Sequence, residues 1–272
     1  MPTIDVFQAI ILGVVQGLTE WLPISSSGHL ALVQLALDLE VPVFYDAILH
    51  LGTLAGVFAI YQKDIIRIMK SLFTAQDKGN VGPYPQGRTM LWFIILGTIP
   101  TGIIGITFRS FFEYSFYDPL SIALGFIITG VLLLITALLK VGHKKLRPLD
   151  AVLIGIGQGI SIFSSISRSG ATIATGMFAG VEREQLVRYS FLLSIPAIIG
   201  AVVIDAVWAP GTQEATENNP PIGTESYVIG AITSAIVGYL SIRLLIRTVV
   251  GGKFYIFAFY CFAIGIATFF LL

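Results

Sequence analysis

Charge is what this sequence has least of. Only 12% of its 272 residues are Asp, Glu, Lys or Arg, about half the share of a soluble globular domain. The 16 basic and 16 acidic residues cancel to a formal net charge of zero, so no basic face is on offer to a nucleic acid and no nucleic-acid partner is expected. Cysteine is nearly absent. The single Cys261, within "FYIFAFYCFAIGIATFFLL", excludes a disulfide within the chain and reads as a small buried apolar residue. There is no Cys or His pair at zinc spacing and no phosphate-cradling glycine loop of the P-loop kind, and "GQGIS" lacks the strand and helix context of a dinucleotide fingerprint. The opening "MPTIDVFQAIILGVV" has an Asp where a signal peptide carries Lys or Arg and lacks an A-x-A cleavage site, so it reads as part of the fold.

Apolar residues fill the space left by charge. They make up 55% of the chain and the mean hydropathy is +0.86, which defines an integral membrane protein. Crossing a bilayer core of about 30 Å takes about 20 helical residues. Full spans are predicted at about 46–61, 90–108, 120–139, 189–208, 226–243 and 254–272. Two further apolar regions, about 4–42 and 150–181, are each broken by polar turn residues, "PISSSGH" and "SSISRSG". Their halves are short for crossing and suit helical hairpins that enter the membrane and return by the same side.

Lys and Arg mark the cytoplasmic loops. They gather at 62–89 (Lys63, Arg67, Lys70, Lys78, Arg88), at 140–148 (Lys140, Lys144, Lys145, Arg147) and at 243–253 (Arg243, Arg247, Lys253), whereas 209–225 has three glutamates and no basic residue. With the first three inside and the last outside, together with the short 109–119 turn, the spans alternate if the two hairpins enter from opposite faces. Both termini then lie outside. Opposite entry is what an inverted repeat produces, and the sequence carries one. Displaced by 142 residues, "ILGVVQGLTEWLPISSSGH" lies over "LIGIGQGISIFSSISRSGA", matching Gly13 with Gly155, Gln16 with Gln158, Gly17 with Gly159, Ser25 with Ser167, Ser27 with Ser169 and Gly28 with Gly170. At 144, Tyr45 and Gly56 match Tyr189 and Gly200. The expected architecture is therefore all-α: a single membrane domain over 1–272, with repeat 1 at 1–139 and repeat 2 at 150–272, each a re-entrant hairpin plus three transmembrane helices.

Irregular backbone at membrane depth must be buried in protein or line a wet cavity. The two hairpin tips are thus expected to meet near the midplane, their returning half-helices starting at Ser25–Ser26–Ser27–Gly28 and Ser167–Arg168–Ser169–Gly170, with N-termini that favour phosphate. Glu20, His29 and Arg168 are the ionisable residues of the hairpin interiors, and such residues are costly enough to be functional. Arg168 offers a rigid donor fork for phosphate oxygens. His29 can act as base, acid or nucleophile. Gln16 and Glu20 share a helix face that would hold a divalent cation, unless Glu20 orients His29 instead. A plainer reading makes Glu20 and Arg168 an ion pair tying the hairpins together. His50 reads as a satisfied interior histidine, His143 as loop surface, Asp205, Tyr45 and Tyr189 as interfacial residues, and Pro100 and Pro196 as kinks.

"GVVQGLTEWLPISSSGHL" with "SRSGAT" resembles the undecaprenyl-diphosphate phosphatase family of the bacitracin-resistance type over nearly the whole chain. The resemblance implies removal of the terminal phosphate of a polyprenyl diphosphate at the outer face of the plasma membrane, with Mg²⁺ or Ca²⁺ assisting, in the recycling of a lipid carrier for envelope glycans. It implies Glu20, Ser26, His29 and Arg168 as catalytic residues, with either Ser26 or His29 attacking. Ser25, Ser27, Gly28, Ser167, Ser169, Gly170 and Thr172 would bind substrate, and Glu20 with Gln16 the metal. Two departures stand out: Gln16 where many members have Glu, and Ser164 and Ser165 where the family has Pro and Gly. The competing class is a lipid-phosphate flippase or anion transporter on the same crossed hairpins. Partners otherwise reduce to membrane lipids and a homodimer permitted by the glycine content.

Overall fold

The computed structural model describes residues 4–39, 41–73, 85–208 and 222–271. Among these the chain forms eleven helices and no strand: α1 (Val6–Trp21), α2 (Ser26–Ala36), α3 (Val43–Phe73), α4 (Gly87–Thr107), α5 (Arg109–Tyr117), α6 (Pro119–Thr136), α7 (Pro148–Ile160), α8 (Arg168–Phe178), α9 (Arg183–Trp208), α10 (Thr224–Val250) and α11 (Ile256–Leu271). An isolated bridge joins Lys144 to Val181.

The local sequence explains where the helices begin and end. Asp5 and Gln8 form a reciprocal cap at the start of α1, the Gln8 amide donating to Asp5 Oδ1 at 2.7 Å and the Asp5 amide to Gln8 Oε1 at 3.0 Å. The helix stops at Leu22, which precedes Pro23 and is extended (ψ 147°), since Pro clashes with a helical residue before it. Two of the later helices start alike. Ser25 Oγ accepts from the Gly28 amide at 3.4 Å and Ser167 Oγ from the Gly170 amide at 3.1 Å, so α2 and α8 carry the same serine cap.

Five helices, α3, α4, α6, α9 and α10, are long and apolar enough to cross a membrane. The sixth expected span, 254–272, is α11, an apolar helix of 16 residues, short of the usual crossing length. The span placed at 46–61 extends over Val43–Phe73, with non-helical backbone at Tyr61. Pro100 and Pro196 lie inside α4 and α9, which continue through them. The expected 109–119 turn contains α5. Exposed apolar residues repeat at one-turn spacing on the outer faces, Ile232, Ile236, Leu240 and Leu244 on α10 and Ile95, Ile99, Ile103 and Ile106 on α4, as a lipid-facing helix requires.

Packing is arranged around small residues. α1 lies along α10, and α7 along α4. A Cβ at Gly17 would meet Val237 Cβ at 2.7 Å and the Ser234 carbonyl at 2.9 Å, and one at Gly155 would meet the Gly97 carbonyl at 2.1 Å. Only glycine admits these approaches. Tyr45 and Tyr189, expected as interfacial residues, are fully buried. The Tyr45 hydroxyl donates to the Ser226 carbonyl at 3.3 Å and the Tyr189 hydroxyl to the Phe93 carbonyl at 2.7 Å, because a phenol inside helix packing must find an acceptor. The side chain of Asp205, and residues 74–84 and 209–221 of the loops used for orientation, lie outside the described residues.

Candidate active site

The end of α1 and the start of α2 bring Gln16, Glu20 and Ser26 together. Gln16 and Glu20 project from one face of α1, and Ser26 lies at the start of α2. The Ser26 hydroxyl donates to Glu20 Oε2 at 2.5 Å and Gln16 Nε2 donates to the same oxygen at 3.0 Å. Arg168, at the start of α8, pairs with Glu20 Oε1. The Glu20 side chain is only 2% exposed and that of Arg168 20%, so the carboxylate is removed from solvent and charge-compensated from the other end of the sequence. Burying a charge is tolerable only with this kind of saturation. The guanidinium also lies over the Trp21 ring, 5.6 Å from its centroid, within cation–π range. The ion pair expected on the plainer reading is thus present.

Serines line both helix starts. Ser25 and Ser27 hydroxyls are 3.2 Å apart, as are those of Ser167 and Ser169. Thr172 donates to the Arg168 carbonyl at 2.9 Å and shares a 2.6 Å hydrogen bond with Ser190 of α9. Ser25, Ser167, Ser169 and Thr172 are buried, and Gly28 and Gly170 pack tightly behind the caps, whereas Ser26 and Ser27 remain partly accessible. A small void beside Glu20 and Arg168 is lined by Trp21, Ser169, Ser190, Phe191 and Ser194.

His29 sits apart from Ser26 chemically. Its Nδ1 is 2.7 Å from the Ser25 carbonyl and therefore carries the hydrogen. Nε2 then accepts, and the Tyr260 hydroxyl of α11 donates to it at 2.6 Å. The Ser26 hydroxyl is turned to Glu20 rather than to His29. The His29 ring stacks on Tyr260 at 5.5 Å and meets Phe126 edge-on at 5.1 Å.

Three contributors were not singled out from the sequence, and a fourth, His50, was read only as a satisfied interior histidine. Tyr260 looks like one aromatic among many in an apolar helix, and Ser190 and Ser194 like ordinary small residues. His50 does satisfy Nδ1 on the Asp46 carbonyl at 2.7 Å, but its Nε2 faces Glu20 Oε2 at 3.5 Å. Its position two residues before a glycine of α3 gave no sign of that. His143 is exposed as expected, and Cys261 is buried with its thiol 3.6 Å from the Pro23 carbonyl. Ser165, at the family's Gly position, has φ 60°, and the hydroxyls of Ser164 and Ser165 are buried without a hydrogen-bond partner among the described residues.

A hard divalent cation wants oxygen ligands. No group of three or more His, Cys, Asp or Glu converges among the described residues, and Glu20 is the one carboxylate at the site. Gln16 Oε1, however, is a buried acceptor without a partner. This donor set fits a cation that brings most of its oxygens with it.

Fold and site together define a multi-pass helical membrane protein with a saturated carboxylate–guanidinium centre where two short helices begin. The comparison with known families is then decisive. The family model described as bacitracin resistance protein BacA matches residues 9–267, and the chain belongs to that family. It is 42% identical to an undecaprenyl-diphosphatase of Methanosphaera stadtmanae, over 97% of both chains. It is 38% identical to one of Korarchaeum cryptofilum, over 97% of this chain and 98% of the relative, and 39% identical to one of Carboxydothermus hydrogenoformans, over 96% and 95%.

Proposed function

We propose that this chain hydrolyses a polyprenyl diphosphate of the undecaprenyl type to the monophosphate and inorganic phosphate, returning the lipid carrier to envelope glycan synthesis. The observation that carries the reading is the meeting of the α2 and α8 starts around the Glu20–Arg168 pair, in a chain whose relatives are named for that reaction. Two helix N-termini, one arginine and a row of serine hydroxyls suit a diphosphate. Charge that develops on a transferring phosphoryl group is stabilised by such fixed donors more than by any covalent device.

Ser26 is the attacking hydroxyl in this reading. It is accessible, and its proton is already directed at Glu20. Attack forms the Oγ–P bond and breaks the bridging P–O bond, the leaving polyprenyl monophosphate taking the electron pair, and water then releases phosphate from Ser26. His29, with Nδ1 committed to the Ser25 carbonyl, has Nε2 as its basic position and receives the proton of that water. Arg168 and the α8 amides, with Ser167, Ser169 and Thr172 holding the turn, bind the phosphoryl oxygens. Mg²⁺ or Ca²⁺ carried by the diphosphate would take a Glu20 oxygen and Gln16 Oε1 as its protein ligands, adding positive charge against the developing phosphate charge.

The two short helix pairs, α1–α2 and α7–α8, are proposed as re-entrant hairpins of an inverted repeat, in one membrane domain over 1–272. Supporting this, Gly13 and Gly17 of α1 dock on α10 as Gly155 and Gly159 of α7 dock on α4, and the α2 and α8 caps are alike. The basic turns also meet on one face. Lys144 pairs with Val181, Gly252 abuts Arg183, and Arg188 bonds Asp64. Ile4 instead accepts from Ser226 at 2.7 Å, beside the acidic loop. We therefore assign the basic face to the cytoplasm, the termini to the outside, and the site to the outer face of the plasma membrane. A homodimer is proposed through outward positions such as Gly102 and Gly200, where an added Cβ would meet nothing within 4 Å.

The test is phosphate release from a polyprenyl diphosphate by the detergent-purified protein, with and without divalent cation, beside Glu20→Ala, His29→Ala and Arg168→Ala. Release lost in all three supports the reading. A folded chain that releases none, yet moves a lipid phosphate across reconstituted vesicles, would replace hydrolysis with transport.

A further inference from the structure

The proposed hydrolysis leaves one strong contact at the site without a task. His29 has two ring nitrogens, and both are bonded: Nδ1 to the Ser25 carbonyl at 2.7 Å and Nε2 to the Tyr260 hydroxyl at 2.6 Å. The carbonyl can only accept, so the hydrogen on Nδ1 is fixed and the lone pair is on Nε2. The Tyr260 hydroxyl is therefore the donor, and it occupies the one basic position of His29. The two rings are nearly parallel, 10° apart with centroids at 5.5 Å, and Phe126 closes the third side of the imidazole at 88°.

We propose that Tyr260 is a positioning residue for the phosphatase reaction: its hydroxyl holds the His29 ring so that Nε2 keeps its lone pair and its direction, standing where the attacking water of the second step must stand. This rests on the reading of His29 as the base of that step. The geometry separates two contributions of one side chain. The phenol ring packs on the imidazole, and the hydroxyl sets its rotation about χ2, which the Ser25 contact alone leaves able to rock. Tyr260 is 45% exposed, so its hydroxyl can yield to an incoming water by a small rotation without opening the core. The contact also joins α11 to α2, two helices more than two hundred residues apart in the chain, so the base of the reaction is oriented by the far end of the sequence.

The experiment is Tyr260→Phe, which removes the hydroxyl and keeps the ring. A neutral hydrogen bond of this kind contributes about 1 kcal/mol, so kcat for phosphate release is expected to fall about fivefold to tenfold while KM stays within about twofold. Thermal stability in the same detergent should be unchanged within a degree or two, since the stacking face remains. A second readout does not depend on turnover. With ¹⁵N-labelled histidine, the Nε2 resonance of His29, assigned by its loss in His29→Gln, should move to the position of an unbonded imidazole nitrogen in Tyr260→Phe while Nδ1 stays protonated. Wild-type kcat in the Phe variant, or an unmoved Nε2 resonance, overturns the proposal. His29→Gln in the same assay keeps the two ideas apart. If that variant turns over normally, the reading of His29 as base has failed, whatever Tyr260 does to the resonance.

Discussion

Exchanging Arg168 for Met asks what the Glu20–Arg168 pair is for. Methionine fills most of the space of the arginine stem and removes only the charge and its hydrogen bonds. Glu20, 2% exposed, then keeps two donors, Ser26 at 2.5 Å and Gln16 at 3.0 Å, and loses its permanent opposite charge, leaving only His50 Nε2 at 3.5 Å facing it. Breaking one side of a buried pair costs about 3–5 kcal/mol. The two remaining donors and the 20% exposure of the arginine place this site at the lower end, about 3 kcal/mol. Glu20→Gln should cost less, about 1 kcal/mol, because the amide oxygen still accepts from Arg168 while its NH2 donates to the Ser26 hydroxyl and to a turned-over Gln16 amide, and the arginine left behind is partly exposed. The double variant should recover about 2 kcal/mol of the loss of Arg168→Met, since its lost partner charge is gone as well. Denaturant unfolding in mild detergent, followed by the fluorescence of the three tryptophans, of which Trp21 lies beside the pair, measures the cycle. Phosphate release measured in parallel should be absent from all three variants. A double variant no more stable than Arg168→Met would refute the electrostatic account, and one that regains phosphate release would refute the catalytic one.

Four further outcomes are expected. Ser165 holds φ 60° with a buried, unpartnered hydroxyl, so Ser165→Gly should stabilise the protein by about 1–2 kcal/mol, read as a rise in the denaturant midpoint with activity retained. Gly17→Leu should abolish folding altogether, since its first added carbon already overlaps Val237 at 2.7 Å; an intact monodisperse protein would contradict the packing. Ser26→Ala should reduce phosphate release by at least about a thousandfold while leaving binding of the diphosphate measurable, whereas Ser27→Ala should cost tenfold or less. Gln16→Glu should lower the half-saturating Mg²⁺ or Ca²⁺ concentration, as a second carboxylate joins the site, and should destabilise the protein in chelator by setting two like charges together; unchanged cation dependence would take Gln16 out of the metal reading.

The regions that broke a simple pattern were the ones the sequence revealed best. Long apolar runs located all five long helices, and the ionisable residues of an apolar chain pointed to Glu20, His29 and Arg168, while the choice of Ser26 came from the family resemblance. An ionisable group in such surroundings is costly enough to stand out. Partnership was not legible. That Ser26 bonds Glu20 rather than His29 depends on the turn at Leu22–Ser25, where Ser25 itself takes φ 68°, and no spacing rule gives that rotation. Tyr45 and Tyr189 were misplaced for a related reason: an aromatic near a helix end packs as well against a glycine of a neighbouring helix as against headgroups, and the facing glycines are remote in sequence. Tyr260 was passed over, and His50 was read only as a satisfied interior residue, because an isolated polar group on an apolar helix shows its purpose only once the opposite helix is in place.

The docking of α1 on α10 has a consequence for synthesis. The groove that receives Gly13 and Gly17 is made by residues 230–238, so the ribosome has to add some two hundred residues before α1 can meet its partner. At about 5–20 residues per second that is a delay of roughly 10–40 s. Throughout it a short helix bearing a buried glutamate waits in or beside the insertion machinery with its charge unmatched, since Arg168 also emerges late. The chain is thus one that membrane-protein quality control meets half-finished for most of its birth, and slowing or truncating translation anywhere before α10 should send it to proteolysis rather than to a partly active fragment.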